Sequence, residues 1–162
     1  MQQQPTTPAP VMPSRQKPVA TEMVKDPKYG SAAQIMALPA PKLTAVLQDP
    51  GASVFARAKA CQRLAVVGDK SAVPALAALL GEPQLSVYAR TALETMPDRS
   101  ADDALRAALG KVQGKLLAGV INSIGKRRDT NAIAALEKLR HHEDAEVSGS
   151  ANAALARIRP PL

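Results

Sequence analysis

A helix stop followed closely by a helix start recurs along this chain about every thirty residues. Gly68, Pro97 and Gly125 stand where a helix must end, because glycine and proline favour leaving the helical conformation. Just beyond them stand Ser71, Ser100 and Thr130, whose hydroxyls can accept a bond from a free first-turn N–H of the next helix. At the third turn Asp129 is the other candidate cap, and Ser100 with Asp103 resembles a capping box. Pro74 falls in a first turn, where its missing N–H does little harm. Ahead of each stop lies an apolar triplet spaced by four and then three: Ala60, Leu64, Val67; Ala89, Leu93, Met96; Leu117, Ile121, Ile124. A fourth follows at Ala151, Leu155, Ile158. That spacing places each triplet on one helical face. Between the triplets run shorter stripes at Leu76 and Leu79, Leu105 and Leu109, and Leu136 and Leu139. One helical hairpin cannot bury both of its stripes, whereas stacked hairpins share a continuous core.

The side chains available to that core point the same way. Tyr29, Phe55 and Tyr88 are the only aromatic residues, and Ala and Leu dominate. Small aliphatic side chains suit helices in close approach, while a sheet sandwich would draw on β-branched and aromatic residues. The expected fold is all-α: a short right-handed α-solenoid of about four helical hairpins. Nine of the fourteen prolines lie within the first 50 residues, and those from Pro5 to Pro18 are interleaved with Gln, Thr and Ala. Such a run neither builds a helix nor buries a core. Residues 1–30 are therefore expected to be a disordered Pro/Gln-rich tail or linker and residues 31–159 the repeat domain, with its first helices near 31–38 and 41–48.

The loop and helix start VGDKSAVPALAALL, residues 67–80, and the helix SVYARTALETM, residues 86–96, resemble the short HEAT-like repeats of the phycobilisome-lyase type. The longer stretch that continues through DDALRAALGKVQGKLLAGVINSIGKRRD resembles the HEAT-repeat module of larger bacterial multidomain proteins. The likeness covers about residues 40–158. It implies an armadillo-like superhelix and protein binding; it names no particular partner, since the repeat encodes packing.

Chemistry of its own is hard to find in the chain. Cys61 is the only cysteine, so no internal disulfide and no cysteine-based metal cluster can form. It follows the core position Ala60 and reads as a small buried apolar group. His141 and His142 are adjacent, about 100° apart on a helix, which is wrong for sharing one ion. Asp102 and Asp103 sit in a first helical turn, where they complement the helix dipole. No catalytic, cofactor-binding or metal residue is assigned, and neither a tetrapyrrole lyase nor a DNA-repair glycosylase, the enzyme classes nearest the resemblance, finds its pocket residues here.

The formal net charge is +7, from 21 basic and 14 acidic residues, but it is dispersed. Its one concentration is Lys126-Arg127-Arg128, closed by Asp129. The leading expectation is therefore a non-catalytic scaffold for a protein partner. Its expected contacts lie on the exposed faces of the first helices: Arg63, Arg90, Glu94 and Asn122, extended by Lys126 and Arg127. The alternative is a nucleic-acid or polyanion-binding solenoid that uses the basic turns. No run is long and apolar enough for a membrane span. The first residues carry no apolar signal region, which fits a cytoplasmic chain as written, or an exported one if a leader precedes Met1.

Overall fold

The structure, a computed structural model, describes residues 24–159; the proline-rich run assigned to a tail lies largely outside them. The described chain is predominantly helical. A hairpin of β1 (Lys25–Asp26) and β2 (Gly30–Ser31) leads into α1 (Ala32–Met36) and α2 (Ala40–Gln48). There follow α3 (Val54–Val67), α4 (Val73–Ala78), α5 (Ser86–Thr95), α6 (Arg99–Ala108), α7 (Gly114–Arg127), α8 (Ile133–Leu139) and α9 (Ala145–Ile158). The short α4 and α8 are each entered through a 3₁₀ turn, Lys70–Ala72 and Thr130–Ala132.

The hairpin extends ordered structure ahead of Ser31, into residues assigned above to the tail. Asp26 is the reason. Its carboxylate is 2% exposed and accepts from the N–H groups of Lys28 (2.7 Å), Tyr29 (2.8 Å) and Ser53 (2.8 Å). It thereby ties the start of the described chain to the start of α3.

The long helices α3, α5, α7 and α9 pack in sequence, each on the next, while α4 packs on α6. Their register is set by residues one repeat apart. Arg90 reaches Gly119 and Glu94 reaches Ser123, both 29 positions on, and Thr95 bonds Ala65 across the preceding contact. Since these pairs advance together along both partners, α5 and α7 run in the same direction. The predicted stripes supply the core: Ala60, Leu64, Ala89, Leu93, Met96, Leu117, Ile121, Ile124, Ala151, Leu155 and Ile158 are all buried, as are Leu76, Leu105 and Leu136. Leu109 and Leu139 are only half-buried, and among the triplets Val67 is the exception, 38% exposed, because α3 ends on it and Gly68 turns away extended.

Three expectations about the punctuation need correction. Asp98, not Ser100, caps α6; Asp69, not Ser71, caps the 3₁₀ turn into α4; and of the two candidates at the third turn it is Asp129 that caps the 3₁₀ turn into α8. These carboxylates accept from the N–H groups of Ser71 (2.8 Å), Ser100 (2.9 Å) and Asn131 (3.0 Å). An ionised acceptor also complements the N-terminal helix dipole, which a hydroxyl does not. The capping box is absent: Ser100 Oγ has no partner and Asp103 pairs with Arg106. Nor does Gly125 end its helix. α7 continues to Arg127 and closes on Arg128 in the left-handed region (φ 54°, ψ 42°). Gly125 is instead a contact residue, since a Cβ built on it would lie 2.8 Å from Ala154 Cα of α9.

Candidate interaction surface

The six residues assigned to partner contact fall into three environments. Arg63 is half-buried on α3 and Asn122 is exposed on α7; neither makes a side-chain hydrogen bond or ion pair among the described residues.

Arg90, Glu94 and Lys126 belong to a polar seam between α5 and α7. Arg90 donates to the Gly119 carbonyl (3.1 Å) and to Ser123 Oγ (3.4 Å). Ser123 in turn donates to Glu94 (2.7 Å), which also pairs with Lys126 (3.3 Å). The glycine at 119 makes room for this, because a Cβ there would sit 2.7 Å from the Arg90 guanidinium carbon. Burial draws the Arg90 pKa below its ordinary value, opposed by Glu94. The group stays charged and its work is internal.

Arg127 lies deeper still. Its side chain is 9% exposed and threads under the end of α5. There it donates to the carbonyls of Leu93 (2.9 Å), Glu94 (3.3 Å), Met96 and Asp98 (3.2 Å), and to the Asp102 carboxylate (3.0 Å). The last carbonyls of a helix have no partner within it, so Arg127 serves as a C-cap supplied by the following unit.

With Arg127 drawn inward and Lys126 paired, Arg128 is the cation of the basic turn that has no partner among the described residues, exposed at the rim of a polar cleft of about 470 Å³. Arg99 stands at the same cleft, also exposed. Its acidic residues are engaged: Asp102 by Arg127, and Asp103 and Asp129 by Arg106. Sequence reasoning missed Arg99 and the free state of Arg128. Lys70, Arg99 and Arg128 are 29 residues apart in sequence, but Lys70 and Arg99 follow their capping aspartates while Arg128 precedes Asp129 as the C-cap of α7. Whether each is paired depended on which neighbouring side chain turned inward.

Cys61 is fully buried, and burial pushes its thiol up to about 12. Among the described residues no group of three or more His, Cys, Asp or Glu side chains lies close enough to hold a metal ion. No helix among them is long and apolar enough to cross a membrane. No family model matches the chain, and no curated protein matches it.

Proposed function

We propose that the chain is a non-catalytic scaffold, a short right-handed α-solenoid of HEAT-like hairpins that binds a protein partner on the exposed faces and turns of its units. The observation that carries this reading is the 29-residue register between α5 and α7, in which Arg90 and Arg127 spend their hydrogen bonds on the neighbouring unit. Polar groups that in an enzyme would converge on a pocket are here used to join one unit to the next. The faces left over are broad, and of the six expected contacts Arg63 and Asn122 retain free side chains. Binding through shape and a few anchors suits such a surface, and its few aromatic residues imply modest affinity.

The test is capture of partners from a native bacterial lysate on the immobilised chain, with and without nuclease and at low and high salt. Arg63→Glu with Asn122→Lys serves as the surface variant. A defined protein retained through nuclease and high salt, and lost with the variant, is the expected result. Recovery of nucleic acid alone, released as salt rises, refutes it in favour of polyanion binding, whose affinity falls steeply with ionic strength. That second reading draws on the exposed Arg128 and is weakened by the internal use of Arg127.

A further inference from the structure

We infer that the cleft at the end of α3 is a guanidinium site, which takes an arginine side chain presented by the protein partner. The inference rests on the scaffold reading and names the group by which the partner is recognised at this point.

The chain carries one such contact internally. Arg127 lies against the end of α5 and donates to the carbonyls of Leu93, Glu94, Met96 and Asp98. One repeat earlier, the end of α3 stands against the following unit in the same way, with Thr95 donating to the Ala65 carbonyl (2.9 Å). Position 98, 29 residues before Arg127, is an aspartate, and its side chain turns back to accept from the Ser100 N–H (2.9 Å). No arginine among the described residues therefore serves α3 as Arg127 serves α5. The Val66 and Val67 carbonyls at the end of α3 accept no hydrogen bond among the described residues. Helix carbonyls point along the axis toward the C-terminus, and partial negative charge gathers there.

A cleft of about 360 Å³ opens at this end, lined by Gly68, Asp69, Lys70, Met96, Pro97 and Asp98. Asp69 accepts from Ser71, and Asp98 from Ser100, through Oδ1; the Oδ2 of each accepts no bond among the described residues. Both carboxylates keep their charge, since the hydrogen bonds from Ser71 and Ser100 hold them below the ordinary carboxylate range. Lys70 opposes a second cation, although it pairs with neither carboxylate. Arg127, the other cation near Asp98, is balanced by Asp102, and Arg99 lines the neighbouring cleft. Two carboxylates against one ammonium leave this cleft negative, and the end of α3 adds to that.

The walls select the form of the cation. Met96 and Pro97 offer an apolar side to an aliphatic stem. A guanidinium spreads five N–H donors in one plane, so it can serve a carboxylate and several carbonyls together, as Arg127 does. An ammonium has three donors and holds its water more strongly, which suits a dry, many-acceptor site less well. A phosphate or a carboxylate would meet Asp69 and Asp98.

The test is amide NMR of the full chain titrated with N-acetylarginine amide and, separately, with its citrulline analogue, which keeps the shape without the charge. The arginine amide should give saturable shifts at the Gly68, Asp69, Lys70 and Asp98 amides, and the citrulline amide should not. Asp98→Ser removes one carboxylate and leaves a good N-cap for α6, so it should weaken binding by about 1.5- to 5-fold, the worth of an exposed ion pair. Lys70→Ala removes the opposing charge and should tighten binding by a similar factor; circular dichroism checks that both variants fold. Absence of saturable shifts at these amides, equal shifts with citrulline, or unchanged affinity in Asp98→Ser overturns the inference. So do shifts that saturate no earlier here than at the exposed Glu143 and Glu146, which would mean unspecific carboxylate binding. If the arginine amide does not bind while the chain still captures a protein, this inference falls and the scaffold reading stands. If it binds here while no protein is captured, the scaffold reading falls and takes the partner's arginine with it, leaving only a guanidinium cleft.

Discussion

Arg127→Ala tests the idea that the stack is joined by one unit capping another. The native side chain is 9% exposed, donates to four backbone carbonyls around the end of α5, and pairs with Asp102, itself 18% exposed. Truncation leaves those acceptors without their donor. A hydrogen bond to a charged group is worth about 1.5–3 kcal/mol, and breaking a buried ion pair costs about 3–5 kcal/mol. The sum is not additive, because water entering the vacated space satisfies the outer carbonyls and the α6 dipole favours Asp102 in its first turn. The expected loss is therefore about 3–4 kcal/mol. At about 3 °C per kcal/mol for a chain of this size, that is a fall in Tm of about 10 °C.

Urea denaturation followed by circular dichroism reads this directly, with an unchanged m-value as the check that the two-state description still holds. Asp102→Ala and the double variant complete a cycle, whose coupling should be about 1–3 kcal/mol. A loss below about 1 kcal/mol for Arg127→Ala, or strict additivity in the cycle, would refute the capping argument. It would mean that solvent serves the α5 carbonyls as well as the arginine does.

Three further outcomes are expected. Gly125→Ala should destabilise more than Gly119→Ala. The first sets a Cβ 2.8 Å from the Ala154 backbone, outweighing a helix-propensity gain of about 1 kcal/mol, while the second meets only the far end of the Arg90 side chain, which can shift at less cost than backbone; the reverse order in urea melts would refute the assignment. Cys61 should resist thiol reagents at pH 8 in the folded chain and label readily in urea, since the fully buried thiol titrates near 12; rapid labelling of the native state would contradict its burial. The Ser53 side chain and then the N–H groups of Ser53, Tyr29 and Lys28 hold the Asp26 carboxyl well below the usual carboxylate range, against the effect of burial. A depressed folded pKa contributes stability above the unfolded value near 4, which is lost as the pH falls below it; Asp26→Asn should flatten that part of the stability–pH curve, and an unchanged slope would exclude Asp26 as its source.

The core was legible because a helical stripe needs only residue type and spacing. Leu93, Ile121 and Leu155 recur at their predicted positions and all lie inside. Val67 failed because its fate depends on where α3 ends, and a stripe does not register termini. The caps failed for a different reason. Serine and threonine are good caps in general, but Asp69 and Asp98, two residues earlier, are stronger acceptors, and the choice among neighbours is made by the geometry of the turn. Asp26 was missed altogether because its partner Ser53 is 27 residues away and no periodicity links them.

The turn at 126–128 shows why such a site resists reading from sequence. Three consecutive cations look like one basic patch, yet Lys126 is paired to Glu94, Arg127 is buried beneath α5, and among the described residues Arg128 has no partner. What separates them is one fact, that α7 runs two residues past Gly125 before it stops. Had the helix ended on the glycine, each side chain would have been rotated by about 100° per residue from its present direction relative to α5. Helix length thus decides which charge is drawn against α5 and which is left exposed.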